Sequence, residues 1–338
     1  MERDFAPRGV QFWHVYKALA HPETNHYVTP FTLKERLMHV AEAREQLGSR
    51  IPWLCDSMDN VLKHAMGDRP NSEFVIDPDG NIVVAREWSS PDTLRKDLTD
   101  LVGAPERITT IADLNMEPVA PAHAAPTGVV PRIKVPAGMT PLKVEPVFRD
   151  DAEPFYVKLR AEADQQSLQS GTGKLYLGFM LDPLYHVHWN NDAMPVVFEI
   201  VETTGVLVAP DYAEAPEVSV KADADPREFL VDICNYLNDP NSPRIQQITL
   251  RVKYFACDDA QTFCKPVTQT YLITLERDRD GGARRSTPDG ARRQPGRAAD
   301  TPARREAPQN PTPNQSQQQR RREMMEQRRR QVQRGMKQ

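Results

Sequence analysis

From Leu142 to Arg277 apolar and polar positions alternate in short runs: "LKVEPVF", "PFYVKLRAEA", "KLYLGFMLD", "PVVFEIV", "PEVSVKA", "IQQITLRVKYFAC" and "VTQTYLITLER". A period of two sends successive side chains to opposite faces. With turn residues between the runs, residues 141–277 predict the short strands of an all-β, immunoglobulin-like sandwich. "DPREFLVDICNYLND" predicts one helical turn or more, with Cys234 in packing.

The first 103 residues follow other periods. "VQFWHVYKA" is β-rich, and "TLKERLMHVAEAREQLG" carries Leu33, Leu37, Val40, Ala41 and Leu47 near helical spacing before Gly48 stops it. "IPWLCD" predicts a buried strand, "SMDNVLKHAMG" a short helix capped by Ser57 or Asp56, and "SEFVIDPDGNIVVAREW" a hairpin turning at Asp79-Gly80. "SPDTLRKDLTDLVG" predicts a helix from a Ser90 cap to Gly103. The order βαβαββα argues an α/β layer with helices on both faces. Residues 104–140, crowded with Pro and Ala and without a period, predict a semi-stiff connector between separable segments, and His123 in it is a solvated residue.

Composition adds a fourth region. Hydrophobic content of 39% and 30 prolines in 338 residues mean that part of the chain does not pack. That part is 278–338: from Arg277 onward there are about 17 basic and 7 acidic residues. A disordered Arg/Gln-rich tail is expected to adhere weakly and non-specifically to anionic surfaces, and it lacks aromatics to stack on bases. No run of eighteen apolar residues exists, and "MERDFAPRGV" has neither an apolar h-region nor a cleavage site, so neither a membrane-spanning helix nor a signal peptide is expected. No nucleotide, haem or flavin signature is present, so no cofactor is expected.

Of the four cysteines, Cys257 and Cys264 stand seven apart around the polar "DDAQT" between two alternating runs. A metal reading lacks a Cys-x-x-Cys or His pair to complete the ligands. A static staple closing a loop of about eight residues contributes roughly 2.5 kcal/mol. Redox exchange needs reach across a hairpin and access for a partner thiol, which the polar loop provides. Exchange and staple stay open, with exchange placed first. Cys55, within "IPWLC", is an inert small hydrophobe in this reading. Asp56 and Asp59 serve as caps rather than as metal ligands. His186 and His188 share one face of a strand but have no identified third metal ligand.

Residues about 8–103 resemble the thioredoxin-fold redoxins, most closely the iodothyronine deiodinase branch. The matching features are Tyr16 with "AHP" at 20–22, "TLKERL" at 32–37, "DSMDN" at 56–60, then "AMG" and "EFVI" with Gly80 and Ile82. The resemblance implies that His21 is a catalytic-site histidine, orienting or protonating a thiol or selenol. The family's cysteine or selenocysteine nucleophile follows a first strand, and nothing corresponding precedes "VQFWHVY". The expected domain is therefore α/β and thioredoxin-like but lacks its first strand and helix. It should show either a gap between "VQFWHVY" and "EFVID" or a forced pairing of those two strands, and the missing nucleophile is expected upstream in the reading frame.

Residues about 141–277 resemble the N-terminal domain of the thiol:disulfide interchange protein DsbD, through "DPLYHVHWNNDAMP" at 182–195 and "YFACDDAQTFCKP" at 254–266. This resemblance implies a periplasmic sandwich whose cysteine pair exchanges disulfides with a protein partner, and it gives "YHVHW", with His186 and His188, a structural role at a sheet edge. Two functions are carried forward. One is a thiol–disulfide oxidoreductase with catalytic candidates Cys257, Cys264 and His21 and no metal. The other is a non-catalytic interaction protein using both domains as scaffolds.

Overall fold

In a computed structural model, residues 1–23, 27–114, 123–148, 154–170, 172–235 and 245–283 are described. The basic tail beyond Ala283 lies outside them. Its first residues, 278–283, expected to be disordered, instead pack on the first segment and the sheet, where Asp280 meets Lys63 and Asn60, Ala283 N donates to Ala20 O at 2.9 Å, and Arg160 donates to Gly281 O at 2.7 Å. The first segment runs α1 (Glu2–Phe5), β1 (His14–Tyr16), α2 (Leu33–Gln46), β2 (Trp53–Cys55), α3 (Val61–Ala65), β3 (Glu73–Ile76), β4 (Ile82–Arg86) and α4 (Pro91–Val102). α2 starts where a capping box forms: Glu35 N donates to Thr32 Oγ1 at 3.1 Å, and Glu35 Oε2 accepts from Thr32 N at 3.2 Å and Phe31 N at 2.7 Å. The Asp56 carboxylate accepts from Leu62 N (3.0 Å) and Lys63 N (2.8 Å), satisfying first-turn amides of α3. α4 begins at Ser90, whose hydroxyl accepts from Thr93 N, and ends at Gly103, where φ of 87° suits a residue without Cβ.

β1 and β2 pair in parallel from His14↔Trp53 to Tyr16↔Cys55, while β3 and β4 form an antiparallel hairpin. The two pairs are separate sheets; among the described residues no ladder joins them.

The rest of the described chain is β-rich. It comprises β5 (Met139–Pro146), β6 (Val157–Asp164), α5 (Gln165–Ser170), β7 (Thr172–Leu181), β8 (Val187–Asn190), β9 (Val197–Thr204), β10 (Val206–Ala209), β11 (Tyr212–Glu214), β12 (Ala222–Asp223), β13 (Arg227–Asn235), β14 (Gln247–Asp258) and β15 (Cys264–Arg277). These strands form one eleven-stranded sheet. β5 joins its two halves, pairing with β6 through Met139–Pro141 and with β15 through Leu142–Pro146. The halves face each other: Phe179 of β7 and Phe198 of β9 stack at 6.4 Å, and Phe229 of β13 meets Phe198 edge-on at 4.8 Å.

Two sequence expectations are corrected here. "DPREFLVDICNYLND" supplies β13 rather than a helical turn, in register with β7 from Arg227↔Phe179 to Cys234↔Thr172. The reason is its period: Val231 and Ile233 are buried while Asp232 and Cys234 face out, so Cys234 is exposed and not a packing residue. "PEVSVKA" is mostly irregular, with only β12 at its end. Its pairing partner β8 has four residues and offers just Trp189 and Asn190.

The first segment is fastened to the sheet by buried charges. Lys158 of β6 reaches Glu35 Oε1 at 2.5 Å, and Tyr185 OH donates to the same oxygen at 2.8 Å. Residues 128–133 also lie along the sheet: Asp225 accepts from the amides of Gly128, Val129 and Val130 (2.6, 2.7 and 2.8 Å), and Glu228 accepts from Ile133 N at 3.0 Å. Where composition predicts separable segments, Met1–Ser286 forms one compact unit. No helix among the described residues is long and apolar enough to cross a membrane.

Candidate functional site

The β14–β15 ladder ends at Cys257↔Cys264, whose Cα atoms are 4.0 Å apart and whose sulfurs are bonded. Its closing turn is pinned by Asp258, which accepts from Phe263 N (2.8 Å), Thr262 Oγ1 (2.6 Å) and Thr262 N (2.7 Å). These hydrogen bonds, Phe263's first, hold the Asp258 carboxyl below its ordinary range because they favour the charged form. The two residues differ in exposure: Cys257 is 8% exposed, whereas Cys264 is open to solvent.

β8 runs antiparallel to β14 with His188 opposite Cys257. Directly opposed residues share a face with Cβ atoms about 4.5–5.5 Å apart, so His188, Cys257 and Cys264 form a row across three strands. Asn190, two positions on and on the same face, donates from Nδ2 to Cys264 Sγ at 3.2 Å. His188 Nδ1 donates to Asp259 Oδ1 at 2.9 Å, and Asp259 Oδ2 accepts from Ala124 N at 3.1 Å. Held this way, the imidazole keeps its proton on Nδ1 and leaves Nε2 as the basic nitrogen. The sequence singled out His188 only as a sheet-edge residue and did not find Asp259 or Asn190. The one available signal was the alternation of His188 and Asn190 along "HWN".

His21 is elsewhere. It is exposed, its Nδ1 donates to Ala283 O at 3.1 Å, and Ala283 lies beyond the Arg277 end of β15, opposite the Cys264 end. The structure therefore brings Cys257 and Cys264 together but not His21 with them. Cys55 is half-buried, and burial pushes its thiol up, the condition of an unreactive sulfur. His186 precedes β8 in a left-handed conformation (φ 48°), and its carbonyl accepts from Asp259 N at 2.7 Å.

Among the described residues, three metal-ligating groups converge at His64, Asp68 and Asp280. The Lys63 ammonium pairs with Asp280 and lies 3.7 Å from Asp68. These carboxylates are thus already met by a cation.

A second polar cluster lies under α2. Asp182 is fully buried, with Oδ2 3.4 Å from Lys158 Nζ but making no hydrogen bond, and burial pushes its carboxyl up to about 6. His39 is also fully buried and bonded through Nδ1 to Tyr16 OH at 2.6 Å; burial pushes it down to about 4. For Glu35, burial acts upward but Lys158 and the hydrogen bonds outweigh it, so its carboxyl stays below the ordinary range.

No protein-family model matches the chain, and no curated protein matches it.

Proposed function

We propose that the protein exchanges disulfides with a protein partner through Cys257 and Cys264. The observation that carries this reading is the unequal exposure of the two bonded cysteines, Cys264 open and Cys257 at 8%. A thiolate of a partner dithiol attacks Cys264 Sγ; the Cys257–Cys264 bond breaks and Cys257 leaves with the electron pair. The partner's second thiolate then attacks the mixed disulfide and releases Cys264. The partner loses two electrons and the pair gains them. In the reverse direction Cys264 attacks a partner disulfide and Cys257 resolves the mixed disulfide. His188, held by Asp259, stands beside Cys257; its basic Nε2 is the group placed to take the proton of the attacking partner thiol and to pass it to Cys257 as that sulfur leaves.

On this reading the eleven-stranded sheet is a DsbD-like sandwich of immunoglobulin type. The first segment is a thioredoxin-like unit of deiodinase or redoxin type without its first strand and helix, in keeping with two strand pairs that do not join. Weak binding of the basic tail to anionic surfaces belongs to the same proposal.

The test equilibrates the full chain in glutathione buffers of graded potential and counts thiols at each. An exchange pair is half-reduced above about −300 mV, and Cys257→Ser should trap partners on Cys264. A pair that stays oxidised at lower potentials is a staple. One observation favours the scaffold alternative: Leu54 (45%), Ile76 (58%), Ile82 (58%) and Trp88 (65%) are exposed apolar side chains of the first segment. Thiols that never cycle, together with partner capture in a Cys257→Ser/Cys264→Ser double variant, would select it.

A further inference from the structure

Between the loop leading into α2, the 56–60 loop and strands β5 and β6 lies a cleft of about 300 Å³, at the small end of the roughly 300–1,000 Å³ range of ligand pockets. Phe31, Met58, Leu142 and Val144 supply apolar wall, and Arg36 lines the cleft while being only 3% exposed. Arg36 Nη1 donates to Asp56 O, Ser57 O and Asn60 Oδ1 (3.2, 2.5 and 3.0 Å), whereas Nε has no partner.

The other two cations of the cleft are neutralised, Lys158 by Glu35 and Arg160 by Glu162. Among the described residues Arg36 has no carboxylate partner; all three of its acceptors are neutral oxygens. A buried guanidinium is costly without a counter-charge, and hydrogen bonds to one nitrogen leave the charge itself uncompensated. The three acids lining the cleft do not supply the compensation. Glu145 is exposed and makes no ion pair with Arg36 among the described residues, Asp280 is held by Lys63 and Asn60, and burial pushes the Asp278 carboxyl up toward its neutral form.

We propose that this cleft binds a small apolar monoanion, a carboxylate or sulfonate on an aliphatic or aromatic body, with its acid group on the unpartnered edge of Arg36 and its body against Phe31, Leu142 and Val144. The site is independent of the cystine: Asp278 and Gly281 of its lining follow the end of β15 opposite Cys264.

The test uses the full chain, with 8-anilinonaphthalene-1-sulfonate fluorescence as reporter and octanoate and uncharged octanamide as competitors. Octanoate should displace the dye where octanamide does not, and Arg36→Met should weaken octanoate about tenfold to a hundredfold, as loss of a charged hydrogen bond implies. Val144→Trp fills the cleft and should abolish binding of both dye and octanoate while the circular dichroism spectrum stays native. Equal competition by octanamide, displacement by phosphate or chloride but not octanoate, or unchanged octanoate affinity in folded Arg36→Met overturns the proposal. If Arg36→Met does not fold, Val144→Trp decides alone, and undiminished binding in it overturns the proposal.

Discussion

Replacing Lys158 by Met removes the cation that fastens the first segment to the sheet. Lys158 is 2% exposed, and its ammonium meets Glu35 at 2.5 Å and Asp182 at 3.4 Å. The substitution leaves two carboxylates where water does not reach, and breaking one side of a buried pair costs about 3–5 kcal/mol. The ammonium also sits 4.8 Å from the centroid of Phe31, a contact that contributes about 0.5–2 kcal/mol, part of which Met returns as apolar packing. With a net cost of about 4 kcal/mol and a urea slope of about 2 kcal/mol/M, the midpoint should fall by about 2 M. Three of the four tryptophans, Trp13, Trp53 and Trp88, belong to the first segment, so fluorescence follows mainly its unfolding and far-UV dichroism follows the sheet. The fluorescence transition should move to lower urea ahead of the dichroism transition. In a double-mutant cycle, Glu35→Gln with Lys158→Met should show coupling of about 2 kcal/mol. A midpoint shift under about 0.3 M, or additive single effects, would refute the claim that this pair is desolvated and joins the two parts.

Asp182 and His39 impose opposite pH slopes. Between 3.8 and about 6 the folded chain keeps an Asp182 proton that the unfolded chain has lost, so stability falls as pH rises. Between about 4 and 6.5 the unfolded chain holds the extra His39 proton, so stability rises with pH. Each is worth about 3 kcal/mol; Asp182→Asn should unmask a rise and His39→Asn a fall, measured by urea unfolding across that range, and a slope that neither changes counts against both assignments. Asp225→Ala removes the acceptor of the Gly128, Val129 and Val130 amides, so their hydrogen exchange should quicken about tenfold or more; unaltered protection would mean that the connector is held by something else.

What was legible in the chain was local. The Ser90 and Gly103 ends of α4 and the Asp79-Gly80 turn are set by neighbours in sequence, and each lies where the pattern predicts; the Thr32–Glu35 capping box is equally local but was not singled out. The cysteine pair was legible for the same reason, since a hairpin brings together residues on either side of one turn. β13 was misread because an alternation of only Val231 and Ile233 with Asp232 and Cys234 is too short to separate from helical spacing, and its ladder with β7 decided the matter. The buried charges were not legible. Lys158 and Glu35 are 123 positions apart, and each alone resembles an ordinary surface residue. His188 and Asp259 are 71 apart and meet only because β8 lies beside β14.

The position of the cystine bears on its role. A staple contributes most where it closes a long loop that nothing else holds. Cys257 and Cys264 instead join neighbouring strands already paired at ten further positions, from Gln247↔Thr274 to Ala256↔Lys265. Their turn is held separately by three hydrogen bonds to Asp258. Reduction therefore forfeits at most the roughly 2.5 kcal/mol of a short loop, while ladder and turn keep the two thiols facing each other. A pair that can open without unfolding its strands, and close again without searching for its partner, meets the structural requirement of a redox cycle. The same arrangement makes it a weak device for stability, and this asymmetry is why exchange through Cys264 is the reading we prefer to a static crosslink.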